Sequence, residues 1–148
     1  MRSAAAIALA FPLVACGGPI SKGEFVKRAD AVCAAADKAA RRLGPEPTTL
    51  TSRHAVWILA LTRNDRAAVA ALRRLPRPAH ATLIARMLRE FDRGLAFGPA
   101  IARASRRGDE RTFRAAVKRA LDLITAGQLD AAASGLDPCT KIGAVADR

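Results

Sequence analysis

Apolar residues recur every three or four positions in four separate runs of this chain, the spacing that gathers them on one face of an α-helix. The first run opens at Ser21, with Glu24 three residues on as a capping box and with Ile20 and Phe25 placed as a hydrophobic staple. It continues through Phe25, Ala29, Val32, Cys33, Ala36, Ala40 and Leu43 and stops at Gly44-Pro45-Glu46-Pro47. A second helix is predicted from about Leu50 to Leu75, with Leu50, His54, Trp57, Leu61, Ala68, Leu72 and Leu75 on one face, closed by Pro76-Arg77-Pro78. A third carries Ile84, Met87, Leu88, Phe91 and Leu95 and then meets Gly98-Pro99, where the proline ring and its missing N–H predict a kink or a break. Gly108-Asp109 is the next turn, with Asp109 suited to an N-cap. The fourth helix carries Phe113, Ala116, Val117, Ala120, Leu121 and Ile124, and Gly135-Leu136 fits a left-handed C-terminal cap with its apolar partner. No alternating strand pattern competes.

Four stripes joined by short turns predict an all-α fold, an antiparallel up-down-up-down four-helix bundle. In that arrangement the start of the first helix and the hinge between the second and third share one end, and the Gly108 turn lies at the other.

Ahead of the helices stands a different pattern. Met1-Arg2-Ser3 is a short cationic opening, Ala4 to Pro12 is apolar and uncharged, and Leu13-Val14-Ala15-Cys16 follows. The run has roughly a dozen residues, against about 20 needed to cross a bilayer core. The string resembles a bacterial lipobox at the end of a signal peptide. That resemblance implies a diacylglyceryl group on the Cys16 sulfur, palmitate-type acyl chains, and cleavage between Ala15 and Cys16. On this reading residues 1–15 are removed, residues 16–20 are the lipidated cysteine and a short tether, and residues 21–148 form a single helical domain. The expected address is the outer face of the cytoplasmic membrane, reached through the lipid anchor.

Removal of residues 1–15 from the 148 leaves 133, the size of one ordinary domain that needs no metal or partner to fold. The chain holds 35 alanines and 20 arginines against 5 lysines, with a formal charge of +12. With Cys16 assigned to the anchor, Cys33 and Cys139 remain as an even pair in a compartment where disulfides persist. They are expected to bond to each other, the alternative being two separately buried thiols. Pairing faces a geometric obstacle. Cys33 lies about 18 Å along the first helix, and an extended stretch from Gly135 to Cys139 reaches only about 17 Å. The bond therefore requires that the fourth helix end early, be displaced along its axis, or have a nearly straight tail.

The opening Glu24-Phe25 with Ala29-Asp30-Ala31-Val32-Cys33, the hinge Leu72 to Leu75-Pro76-Arg77-Pro78, the Gly108-Asp109 turn and the close from Gly135-Leu136 to Cys139 give the body a further likeness. It resembles small alanine- and arginine-rich helical lipoproteins of high-GC actinobacteria, a group without a described activity, so the likeness implies no functional residue.

Catalytic chemistry finds little support. His54 and His80 are expected at opposite ends of a helical hairpin, about 30 Å apart, and neither a Glu-x-x-His pair nor H-E-x-x-H occurs. Ser52, Ser105 and Ser134 stand outside any G-x-S-x-G elbow. No C-x-x-C pair and no Gly-rich phosphate loop is present. Neither metal nor cofactor is expected, and the reading is non-catalytic. What remains is charge. Arg73, Arg74 and Arg77 form an expected lipid-facing basic patch at the anchored end, and Arg103, Arg106, Arg107, Arg111 and Arg114 an outer patch. Such patches suit anionic head groups and an acidic envelope polymer or protein. Nucleic acid is not an expected partner, because export separates the chain from it and aromatic stacking platforms are lacking. The sequence therefore points to an anchored envelope protein that binds or scaffolds, with a cationic polyanion-binding module as the alternative.

Overall fold

The computed structural model describes residues 20–79 and 81–143. Within them the chain is helical, with no strand: α1 (Lys22–Arg41), α2 (Ser52–Arg74), α3 (Thr82–Leu95), α4 (Gly98–Arg106), α5 (Glu110–Ser134) and a 3-10 helix, Asp137–Lys141. The signal segment, Ala15, Cys16 and most of the tether lie outside the described residues, as does His80.

Local chemistry sets most helix ends. The Ser21 hydroxyl accepts from the Glu24 N–H at 3.1 Å, while the Glu24 carboxylate turns to Arg28 Nε at 2.7 Å instead of completing the box. Ile20 and Phe25 pack into one cluster, Phe25 fully buried. The second helix begins later than Leu50, at Ser52, because the Thr51 hydroxyl caps the His54 N–H. Asp109 caps α5 through the Thr112 N–H at 3.0 Å. Gly135 takes φ 79° and brings the Leu136 N–H back onto the Ala131 carbonyl.

In place of one third helix there are two, α3 and α4, whose axes turn by 22°. Pro99 cannot donate to the carbonyl four residues before it, and its ring crowds that oxygen. The oxygen is that of Leu95, where α3 stops, and the Arg66 guanidinium crosses from α2 to donate to it at 3.1 Å. The break therefore falls ahead of the proline. Gly98 is equally constrained, because a Cβ there would lie within 3 Å of Thr62, so only glycine lets α4 approach α2 this closely.

The larger core cluster joins Phe25, Ala29 and Cys33 of α1, Val69 and Leu72 of α2, Ile84, Met87, Leu88 and Phe91 of α3, and Ile124 and Ala131 of α5. The tightest interface is α3 on α5, where Gly94 faces Ile124 and Gly127 receives the Phe91 ring. An ion pair from half-exposed Arg86 to buried Asp130 crosses the same interface. The C-terminal segment packs against both α1 and α5. Cys139 there is bonded to Cys33, with S–S 2.03 Å and Cα–Cα 5.0 Å.

The bond forms by a route unlike an extended tail. Ala133 and Ser134 border the same crevice as Lys22, Phe25 and Val26, so α5 ends beside the first turn of α1. From Phe25 to Cys33 is about 12 Å of helix, and a 3-10 helix rises about 2 Å per residue. Gly135, buried Leu136 and the first turn of the 3-10 helix carry the chain back to Cys139, beside Cys33.

Candidate functional site

At the other end the helices do not close on one another. α2 presents Trp57, Ile58, Leu61, Thr62 and Asp65 toward α5, which answers with Phe113, Val117, Leu121, Ile124 and Gln128. Between them lies a cavity of about 400 Å³, floored by Gly94, Leu95, Gly98 and Ile101 of the α3–α4 unit. The volume falls within the range typical of small-molecule sites.

The cavity revises the reading of the fourth apolar stripe. Phe113, Ala116 and Val117 are only partly buried and Leu121 is 44% exposed, because this face of α5 borders the cavity while Phe113 also packs against the α2–α4 cluster. Across from it, α2 and α4 meet in a small cluster of Ala55, Ile58, Leu61 and Ala102.

The outer end is built by the loop between α1 and α2. Gly44 takes φ 74° and offers its carbonyl to the Trp57 indole N–H at 3.1 Å. The Glu46 carboxylate accepts a hydrogen bond from His54 Nε2 at 2.9 Å. His54 is buried against the Phe113 ring, centroids 5.4 Å apart. A second depression adjoins here, sharing Glu46 and Phe113 and adding Thr48, His54, Glu110 and Arg114. Ser105 on α4 donates to the Thr51 carbonyl at 3.3 Å and ties the loop to the α4–α5 end.

At the inner end stands Asp65, only 1% exposed. One of its oxygens accepts from the Asn64 amide at 3.0 Å, the other from the Gly143 N–H at 2.9 Å. The neighbouring Ile142 carbonyl accepts from Gln128 Nε2 at 3.0 Å. Two consecutive residues of the disulfide-clipped tail thus hold Asp65 of α2 and Gln128 of α5, and the tail forms the inner wall.

The basic residues expected to act lie elsewhere. Arg73 and Arg74 are in the last turn of α2 and Arg77 in the hinge, all exposed, but Arg73 is ion-paired with Asp92 of α3, which weakens the near patch. Arg103 and Arg106 end α4, Arg107 approaches Asp109 at 3.8 Å, and Arg111 and Arg114 start α5, Arg114 paired with Glu110. These five remain exposed around one turn. Among the described residues no three metal-ligating side chains converge.

Two carboxylates stand out for their surroundings. Asp130 is held below the usual carboxylate range by the hydrogen bond and charge of Arg86. Asp30 is pushed up by burial and by the charge of Asp137, and one of its oxygens is buried with no hydrogen-bond partner.

Sequence reasoning missed Asp65, Thr62, Gln128 and Gly143. One signal was available: Asp65 sits between Leu61 and Ala68 on the apolar face of α2, where a carboxylate is costly unless it has a task. The chain matches no protein-family model, no curated protein and no solved structure.

Proposed function

We propose that this protein is a membrane-tethered, non-catalytic binding protein of the cell envelope, and that its ligand is a small apolar molecule held between α2 and α5. The observation that carries the reading is the cavity of about 400 Å³ with a predominantly apolar lining. The lipobox likeness at Cys16 supports the tether and the outer-face address, and no described helix is long and apolar enough to cross a membrane. The likeness to actinobacterial lipoproteins is part of the same proposal.

The finer architecture we propose is the up-down-up-down bundle with a third helix broken into α3 and α4. Two groups of residues support it. Lys22, Pro78, Ala79 and Ser134 meet at one end, and Glu46, His54, Glu110 and Phe113 at the other. On this reading the anchored end lies opposite the cavity's outer mouth.

Trp57 is the single tryptophan, tyrosine is absent, and Trp57 lines the cavity, so intrinsic emission reports on this site. Titration with decanol should shift that emission saturably, and Val117→Trp, which fills the space, should abolish the binding of a radiolabelled probe. Unchanged emission together with unchanged probe binding in the filled variant would remove the cavity as the functional element. For the tether, Cys16→Ser should abolish lipid labelling in cells, and persistent labelling would refute it.

The exposed group Arg103, Arg106 and Arg111 favours a second reading, a cationic module that binds anionic head groups or an acidic envelope polymer. Salt separates the two, since counterion-driven association weakens steeply between about 50 and 200 mM salt and occupancy of an apolar cavity does not.

A further inference from the structure

Resting on the tethered reading rather than on the cavity, we propose that the end of the molecule where α1 begins is a docking face for an anionic phospholipid bilayer, with one lipid acyl chain seated in the crevice between α1, α3 and α5.

The first argument is the crevice. It holds about 220 Å³ and is walled by Val26 of α1, Pro78 and Ala79 of the hinge, Leu83 of α3 and Ala133 of α5. Leu83 is 38% exposed there, although it adjoins buried Ile84 in the first turn of α3. At roughly 30 Å³ for each water-sized group, the space takes about seven methylenes, a stretch of one acyl chain. It is too small for the helix of a partner protein, which is about 10 to 12 Å across.

The second is what stands next to it in the chain. On the tethered reading the residues ahead of Ile20 are Cys16-Gly17-Gly18-Pro19, and the two glycines bring no side chain to fill an apolar crevice. Ile20 itself packs against the main core cluster. Four residues reach at most about 14 Å, so a lipid on Cys16 would keep the crevice, which Lys22 borders, close to the bilayer surface.

The third is charge. Lys22 borders the crevice, Arg77 precedes Pro78 and Arg74 ends α2, and all three are exposed and in no ion pair among the described residues. The structure thereby redraws the basic patch read from the sequence, since Arg73 is taken by Asp92 and Lys22 joins. Carboxylates of this end are paired as well, Glu24 with Arg28 and Asp130 with Arg86. Asp30, with Asp137 beside it, comes a turn beyond Val26 along α1. Basic groups rimming an apolar crevice match a phosphate carried above an acyl chain.

The test uses residues 16–148 with Cys16→Ser, so that no anchor contributes, and phosphatidylcholine vesicles with and without phosphatidylglycerol at physiological ionic strength. Co-sedimentation should require phosphatidylglycerol. Lys22→Glu, Arg74→Glu and Arg77→Glu should each weaken it about fivefold or more. Leu83→Asp, at an exposed position, should weaken it at least about tenfold in a protein of unchanged melting temperature. An indole introduced by Ala79→Trp, with Trp57→Phe to remove the native emission, should be quenched by lipids brominated on their acyl chains. Reversing Arg103, Arg106 and Arg111 together should weaken binding less than reversing the three near-end residues together. A larger loss from the outer reversals, binding that Leu83→Asp leaves intact, or an indole that brominated chains do not quench would overturn the inference. Absence of vesicle binding would overturn it too, and a dimer of the free protein that Leu83→Asp splits would then assign the crevice to a second copy. Neither result touches the tether, which lipid labelling at Cys16 tests separately.

Discussion

The two apolar clusters of this protein are built by the same long helices, yet one is closed and the other is open. Around Phe25, Leu72, Phe91 and Leu136 large side chains meet from every helix but α4 and from the tail, and Cys33–Cys139 fastens the assembly. Around Ala40, Ala55, Ala102 and Trp57 half of the buried positions are alanine, and α5 lies across the cavity from α2. The difference is side-chain volume, not hydrophobic pattern. Equal stripes direct helices toward each other, but only where their side chains are large enough does the space between them fill.

The most forceful way to break the closed cluster is to remove its clip. The disulfide spans 106 positions, for which chain-entropy reasoning assigns about 5 kcal/mol as an upper figure. Cys33→Ala with Cys139→Ala should lower unfolding free energy in urea by roughly 3 kcal/mol. It should also raise amide exchange at Ile142 and Gly143, since the tail that walls the cavity is released. Unchanged exchange there would show that hydrogen bonds to Asp65 and Gln128 hold the wall unaided.

A matched pair of truncations sharpens the contrast. Leu72→Ala, at a fully buried position, should cost about 3 kcal/mol. Leu121→Ala, at the half-exposed rim, should cost well under about 1 kcal/mol. Similar losses at both sites would mean that the two clusters do not differ in packing.

The Arg86–Asp130 pair belongs to the closed side. Because the folded-state pKa of Asp130 lies below its unfolded value, the pair contributes stability above about pH 4 that is lost as pH falls through the lowered folded value. Asp130→Asn should cost about 1 kcal/mol at pH 7, discounted for the half-exposed arginine, and almost nothing at pH 2. An equal cost at both pH values would assign the loss to packing.

Asp30 has the opposite sign. Its folded pKa is raised, so its carboxylate penalises the fold above that value and the penalty disappears below the unfolded value. Asp30→Asn should raise the melting temperature slightly at pH 7 and leave it unchanged at pH 3. A lower melting temperature at neutral pH would show that the charge serves a contact that the amide cannot replace.

Much of this molecule is legible locally. Ser21, Asp109 and Gly135 act on backbone groups within a few residues of themselves, so their roles as caps follow from sequence alone. The pairing of Cys33 with Cys139 was legible from parity once Cys16 was set aside for the expected anchor, although its route was not. Pro99 predicts an interruption, but the position of the break at Leu95 depends on Arg66 arriving from another helix to satisfy the freed carbonyl.

What the sequence determined by itself was the all-helical character, the helix order and most helix ends, because propensity, capping and apolar spacing are properties of neighbours along the chain. What only the tertiary structure decided was where those apolar faces fail to meet. The stripe on α5 reads as core throughout its length, and nothing within it separates Ile124, which is buried, from Leu121, which is 44% exposed, although both border the cavity. That distinction rests on where α2 and the α3–α4 unit stand and on a tail folded back from residue 135, all distant in sequence. A cavity is a deficit of volume summed over several elements, and no single stretch of chain carries it.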